Sequence, residues 1–412
     1  MTGVSAFEAV CEELDRRRQV TLGFQRIEAL LKLLGNPETD LRVIQVVGTN
    51  GKGTTAVALA AALEEFGYPS GVYLSPHLLS YTERMMVNGE FVSEVRFADV
   101  MNEVIKTADE NGVSASQFEL LTAGALKLFR DVGLSFAVLE AGLGARHDAT
   151  SAAAAEAVVL TNVGLDHTEY LGETVEQIAR EKLASLRSGA VLILGTDEPV
   201  VVELAQEAVE RAGARLVRVS SSEAPAGVSL AGLAPFAVQD VRVGVAAARE
   251  ILGRTLDPSG WERVAHKVSG ALPGRFEVRE VEGVPVVVDG GHNASGLEAA
   301  LAGVKELYGE RPLGVIFGVL RDKDIGSMLT ALERGADKLV LTRPGSDRAA
   351  DPRWIQGKWD PRDRAGMRAR MITYPVDALN LMVEEIEKVD GVVLVTGSLY
   401  TCAEVLGALR EG

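Results

Sequence analysis

The chain has 412 residues, 47% hydrophobic and 24% charged, the mix of an ordinary globular protein with length for two or three domains and no need of a disulfide or metal staple. Acidic residues outnumber basic ones 58 to 42, a formal charge of −16 with no Lys/Arg-rich block, so nucleic acid is not an expected partner. Two cysteines, Cys11 and Cys402, exclude a disulfide framework and suit a reducing cytoplasm. No apolar run approaches about 18 residues, so no membrane span is expected, and the opening MTGVSAFEAVCEELDRRR lacks a signal-peptide layout. Of the 42 basic residues 11 are lysine, so a retained lysine is a position to inspect.

Short β-branched runs alternate with longer helical stretches. Residues 41–47 (LRVIQVV) read as a buried strand before a Gly turn, and 54–66 as an Ala/Leu-rich helix stopped by Gly67 and Pro69. Further strands are expected at 71–74, 136–139, 158–161 and 191–194. After about residue 275 the alternation restarts, with strands at 284–288, 313–317, 338–341 and 392–396 and helices at 295–307, 375–388 and 399–410. The pattern implies an α/β protein: a P-loop-type, mostly parallel sheet domain, then a smaller Rossmann-like α/β domain. The Gly/Pro-rich segment 267–275 (KVSGALPGR) marks the boundary, giving domains 1–270 and 275–412, with the loop-like 220–235 an excursion of the first.

The strongest local signal is VVGTNGKGTT, residues 46–55, between a strand and a helix. Glycines let backbone N–H groups turn inward on phosphate oxygens, and the helix start adds partial positive charge. Thr49, Asn50, Gly51, Lys52, Gly53 and Thr54 form this cradle; Lys52 can reach the outer phosphates, and Thr54 or Thr55 can offer a hydroxyl to Mg²⁺. Gly53 stands between the lysine and the first threonine, a departure from the strict G-x-x-x-x-G-K-[ST] spacing.

Other polar residues lie at strand ends, where doubly wound sheets bind ligands. Ser75 follows GVYL, Glu140 follows FAVL and His167 follows the strand VVLT in TNVGLDHTEYLG. Singly each reads as a cap or turn residue; together a carboxylate, a hydroxyl and an imidazole can converge on a cation, oxygen donors suiting Mg²⁺. Lys182, on a helix starting near Glu173, is either an exposed lysine paired with a glutamate or a group aimed at that metal region. In the second domain VVVDGGHNASG repeats strand, turn and helix: Asp289 can accept ribose hydroxyls, His292 can contact a carboxylate or phosphate, and Arg275 can reach the nucleotide. Ser398 reads as a helix cap.

Together these motifs resemble the folylpolyglutamate synthase/dihydrofolate synthase family, within the Mur-type ATP-dependent amide ligases. LGFQRIEALLKLLGNP, VVGTNGKGTT, LSPHLLSYTERMMVNG, EAGLGARHDAT, TNVGLDHTEYLGETVEQIAREK, PGRFEV, DGGHN, FGVLRDKD and TGSLY follow the family's order over nearly the whole chain. The resemblance implies a cytoplasmic, monomeric ligase of folate biosynthesis and one-carbon metabolism. It would use ATP and Mg²⁺ to phosphorylate a pterin or folate carboxylate (dihydropteroate or a folate) and join L-glutamate to the acyl phosphate. It implies that Ser75, Glu140 and His167 hold the metal. Lys182 would be carbamylated, and Lys52, Lys182 and His292 would serve the chemistry. Thr49 to Thr54, Arg275 and Asp289 would hold ATP, sandwiched between the domains. Gln117, Phe118, Glu119, His147, Asp148 and Ala149 would hold the pterin.

The chain departs from the family pattern at Ser151, at Leu183, Ala184 and Ser185, and at residues 238–242, where H-Q-x-x-N reads VQDVR. Two other readings compete. One is a Mur-type ligase acting on another carboxylate; a cell-wall enzyme would carry an N-terminal nucleotide-sugar domain, for which the 47 residues before the loop leave no room. The other is a non-catalytic nucleotide-binding switch, which leaves Glu140, His167, Asp289 and His292 unused.

Overall fold

A computed structural model describes residues 5–19, 23–220, 224, 228, 230, 232–358 and 369–411. Residues 221–223, 225–227, 229 and 231 of the expected loop 220–235 lie outside the described residues, as do the first four residues and Leu22, which opens the first family-like motif. The chain divides into two compact units: Met1–Leu233 with Ala237–Ala271, and Ala234–Phe236 with Leu272–Gly412.

In the first unit the strands are β1 (Arg42–Val47), β2 (Ser70–Tyr73), β3 (Met85–Val87), β4 (Glu90–Phe91), β5 (Phe136–Glu140), β6 (Ala157–Leu160), β7 (Val191–Leu194) and β8 (Arg215–Arg218). They form one sheet in the order β4-β3-β2-β5-β1-β6-β7-β8. From β2 to β8 all neighbours are parallel; β3 and β4 are antiparallel. The central strands are buried along nearly their whole length because helices cover both faces, which is why they read as continuous Val/Ile/Leu runs. The register sets the site. Val46 lies beside Glu140, Tyr73 beside Leu139 and Val47 beside Leu160, so Ser75, Glu140, Gly48 and Thr161 emerge at one sheet edge.

The second unit carries β9 (Glu277–Val281), β10 (Val284–Val288), β11 (Leu313–Phe317), β12 (Lys338–Leu341), β13 (Ala369–Met371) and β14 (Val392–Thr396), ordered β13-β12-β11-β14-β10-β9. Among the described residues, only the β9–β10 pairing is antiparallel in this sheet. Ser398 Oγ accepts from Thr401 N at 3.2 Å, the cap expected for the last helix.

The central strands carry the buried runs expected from the sequence; the outer ones do not. β8 and β9 are half-exposed Arg/Glu-bearing segments without a buried run, and β3 and β4 are two or three residues long. A signal for that hairpin was present: Asn88 and Gly89 both have positive φ, 50° and 80°, as a tight turn between antiparallel strands requires.

The helix Lys52–Glu65 is buried continuously from Thr55 to Leu63. An all-apolar surface is stable only when neighbours cover it on every side. One neighbour is the helix Ala237–Leu252, and Gly244 permits the approach: a Cβ there would meet Leu59 N at 2.7 Å, Ala58 Cβ at 2.8 Å and Thr55 O at 2.8 Å. Two of these atoms are backbone and cannot swing aside. Gly244→Ala is therefore expected to destabilise the first unit by about 1–3 kcal/mol, read as a shift of the urea midpoint at unchanged slope.

Candidate active site

The loop after β1 is clamped before any ligand arrives. Thr49 N donates to Asn162 O (3.0 Å), and Thr49 Oγ1 accepts from Gly164 N (2.9 Å). Asn50 N donates to Asn162 Oδ1 (3.0 Å), while Asn50 O accepts from Thr161 Oγ1 (2.7 Å) and Asn162 Nδ2 (3.0 Å). Residues 161–164 thus hold the loop open from the end of β6. Gly51 caps the helix at φ 76°, a conformation that costs other residues free energy. Lys52 folds back so that Nζ donates to Thr49 O at 3.2 Å. Thr54 is half-buried, whereas Thr55 is fully buried and its hydroxyl has no hydrogen-bond partner among the described residues, so Thr54 is the threonine with a reachable hydroxyl. A fixed loop, a helix start and a lysine suit a polyphosphate.

Beside it, Ser75 N donates to Glu140 Oε2 at 2.9 Å, bringing two of the three expected metal residues together. His167, at φ 50°, follows β6, and its backbone N donates to Asp166 Oδ1 at 2.9 Å. Among the described residues no group of three or more His, Cys, Asp and Glu could hold a metal ion. The expected set has only two such residues and a hydroxyl. A buried carboxylate next to a hydroxyl is a hard-oxygen set that fits Mg²⁺, an ion that keeps several of its own waters.

Lys182 is not an exposed helix lysine. It ends the helix Val175–Lys182, is 4% exposed, and its Nζ donates to Gly48 O at 2.6 Å. Burial, and next the charge of Lys52, push its pKa down to about 7, against the opposing pull of Asp166, Asp148 and Glu181. Asp166 is a residue the sequence reading passed over. Its place beside His167 in the D-H pair was the available signal, and it acts on both His167 and Lys182.

A cleft open to solvent lies nearby in the same unit and is lined in part by Phe118, Glu119, Leu143, His147, Asp148 and Ala149. Two rings line it: Phe118 packs on Tyr73 (ring centroids 5.7 Å apart) and His147 stands 6.3 Å from Phe24. Its carboxylates are largely engaged. Asp148 accepts from Gly142 N and Leu143 N, both at 2.9 Å, and from Thr150 N at 3.0 Å; burial raises its pKa and these bonds lower it. Glu119 accepts from Ser116 N and Oγ, both at 2.8 Å, and from Arg26 Nε at 3.1 Å. Gln117 bonds to Tyr81 and Asp15 and is not among the lining residues.

In the second unit, Asp289 follows β10 and receives Phe276 N on Oδ2 and Gly291 N on Oδ1, each at 2.9 Å. Burial raises its pKa and the nearby Arg275 lowers it. His292 Nδ1 lies 3.1 Å from Gly290 O, and Asn293 Oδ1 caps the helix Ala294–Tyr308 through Gly296 N. Arg275, Asp289 and His292 are therefore gathered at one strand end.

Residues 46–278 match the Mur ligase middle domain and residues 274–399 the Mur ligase glutamate ligase domain. The chain is 31% identical over 419 residues to the dihydrofolate synthase/folylpolyglutamate synthase of Escherichia coli (strain K12), covering 96% of this chain and 94% of that one. Its fold is similar to Mycobacterium tuberculosis folylpolyglutamate synthase complexed with ADP, with a TM-score of 0.87, 27% identity and 98% of each chain covered. It is also similar to a bifunctional folylpolyglutamate synthase/dihydrofolate synthase with Mn, AMPPNP and L-glutamate bound, with a TM-score of 0.83, 28% identity and 98% of each chain covered.

The buried Lys182 makes stability depend on pH. Between about 7 and the ordinary 10.5 the unfolded chain holds a proton that the folded chain lacks, so stability rises with pH across that window. In CO₂-free buffer, Lys182→Met is expected to exceed the wild type by roughly a few kcal/mol below pH 7, an advantage that shrinks toward pH 10.5. Urea titrations at several pH values check this.

Proposed function

The chain belongs to the dihydrofolate synthase/folylpolyglutamate synthase family of Mur-type ligases, and on that footing we propose how its residues carry out the reaction. It is an ATP-dependent ligase that joins L-glutamate to a pterin or folate carboxylate. The observation that carries the residue-level reading is the phosphate loop: Gly51 at a helix start, Lys52 folded over the loop, and Lys182 buried on its Gly48 carbonyl.

The loop from Thr49 to Thr54 binds the phosphates, with Lys52 at the transferring group. Arg275 and Asp289 of the second unit serve the nucleotide, and His292 orients the incoming glutamate. The cleft takes the flat pterin against Phe118 and His147, while Asp148 and Ala149 shape the wall and Glu119 is set by Ser116 and Arg26. Gln117 supports this wall from behind through Tyr81 and Asp15. A carboxylate oxygen of the substrate attacks the γ-phosphorus and ADP leaves, forming an acyl phosphate. The glutamate nitrogen then attacks the acyl carbon, loses a proton, and phosphate departs. Ser75, Glu140 and His167 would hold Mg²⁺, which when bound offsets negative charge on the transferring phosphoryl group.

Lys182 is the carbamylation site in this reading. Carbamylation needs a neutral amine, and a pKa near 7 supplies one at neutral pH. The product replaces a buried cation beside Lys52 with an anion, so Lys52 loses a repulsive neighbour. We propose that the protein works as a monomer on small molecules in the cytoplasm, where its two free cysteines would stay reduced.

Product analysis with dihydropteroate and with reduced folates, each with L-glutamate and MgATP, tests the reaction; no glutamylated product from either class contradicts it. Lys52→Ala is expected to abolish ligation at unchanged thermal unfolding, because it removes charge at the transferring group and no core packing. Lys182→Arg should be nearly inactive, whereas Lys182→Ala should regain activity with added formate or acetate. Unmodified Lys182 in fully active enzyme, read by ¹³C NMR with ¹³C-bicarbonate, rules out the carbamate.

A further inference from the structure

One buried charge near the phosphate loop has no role in the scheme above. Asp240 lies in the first turn of the helix Ala237–Leu252 and is 8% exposed. Its carboxyl rests on Gly51: a Cβ at Gly51 would meet Asp240 Oδ1 at 2.2 Å and Cγ and Oδ2 at 2.5 Å. Gly51 is the residue that opens the nucleotide helix, so the carboxyl packs against the start of that helix. It accepts no hydrogen bond from a described residue. The placement is rigid, because Gly244, one turn on, locks the same two helices backbone to backbone.

The surrounding ionisable groups do not neutralise it. On the nucleotide helix, Lys52 bonds to Thr49 O, and Glu64 and Glu65 at the far end pair with Lys267 and Arg263 of the helix Pro258–Val268. Lys182 is engaged by Gly48 O. On its own helix, Arg242 has a buried Nε without a partner among the described residues, and Arg249 and Glu250 pair with each other. Near the end of β7, Asp197 pairs with Arg218. None of them forms an ion pair or hydrogen bond with Asp240. Burial alone, with nothing to offset it, pushes this carboxyl well above the usual carboxylate range.

We propose that Asp240 is a positioning residue of the phosphate loop that must carry a proton for the loop to accept a nucleotide. The ionised form would compete with the phosphates for the positive helix start and repel them across a buried, weakly screened gap. The protonated form leaves the helix start to the ligand and offers an O–H donor beside it. Nucleotide binding then takes up a proton whenever Asp240 begins ionised, and affinity falls as pH rises through its titration. This rests on the nucleotide-loop reading above but adds a residue and a proton to it.

The test is calorimetric titration of the full chain with MgADP and MgAMPPNP from pH 5.5 to 9, in buffers of differing ionisation enthalpy, for wild type and Asp240→Asn. The amide keeps the shape and cannot ionise. Lys182 titrates in both proteins, so the difference between them isolates Asp240. The expected result is a wild-type affinity that falls more steeply with pH than the variant's, by up to about tenfold per unit, with up to one additional proton taken up. Identical pH profiles and proton uptake in the two proteins overturn the proposal. So does a folded Asp240→Asn that binds no nucleotide at any pH, since the carboxylate itself would then be required. If thermal unfolding shows that Asp240→Asn does not fold, Asp240→Ser is read in the same way. A wild type that binds no nucleotide overturns both this proposal and the ligase reading; one that binds nucleotide but makes no glutamylated product overturns the ligase reading alone.

Discussion

The helix that begins at Lys52 cannot move, and the active site is built around that fact. Nine consecutive residues, Thr55 to Leu63, are buried, so the helix is covered on every side by the sheet and by other helices. Its start is fixed relative to the carboxyl ends of β1, β5 and β6. The chain must turn sharply to enter it, which is why Gly51 takes a positive φ and why residues 161–164 bind the loop through hydrogen bonds.

The same immobility concentrates charge. Lys52 and Lys182 both donate to carbonyls of one short loop, three residues of which are Gly48, Thr49 and Asn50, and neither forms an ion pair among the described residues. Burial and mutual repulsion favour the neutral amine at Lys182, the member of the pair with less access to water. Asp240, packed on Gly51, is buried and has no counterion among the described residues. Ionisable groups that are both buried and unpaired cluster at functional sites because their protonation can be set by what binds.

Acidic residues around the cleft show the contrasting arrangement. Asp148 and Glu119 are as buried as Asp240, yet each carboxylate is satisfied by backbone N–H groups, a hydroxyl or an arginine. These bonds hold the loop 142–150 and the start of the helix Gln117–Asp131 in shape, so that Phe118 and His147 can wall the cleft. Asp289 does the same for the turn after β10. A conspicuous acid in a family-like motif thus orders the backbone around a ligand as much as it faces one.

The sequence by itself determined the central strands, the phosphate loop and the family, because each is written in consecutive residues: a run of β-branched side chains, a glycine-rich turn, a motif of eight or ten letters. Two-sided burial makes β1 and β5 legible without a partner in view. Edge strands such as β8 and β9 lack that signature, since half-exposed positions accept arginine and glutamate. Tertiary structure alone decided which side chains lose their water. Lys182 sits in an amphipathic-looking stretch between a glutamate and a leucine, and nothing local separates it from a surface lysine; only the approach of Gly48, 134 residues earlier, does so. Asp240 and Gly51 likewise meet only because two helices distant in sequence pack at glycines. Desolvation depends on what surrounds a group in space, and that is set by the fold as a whole.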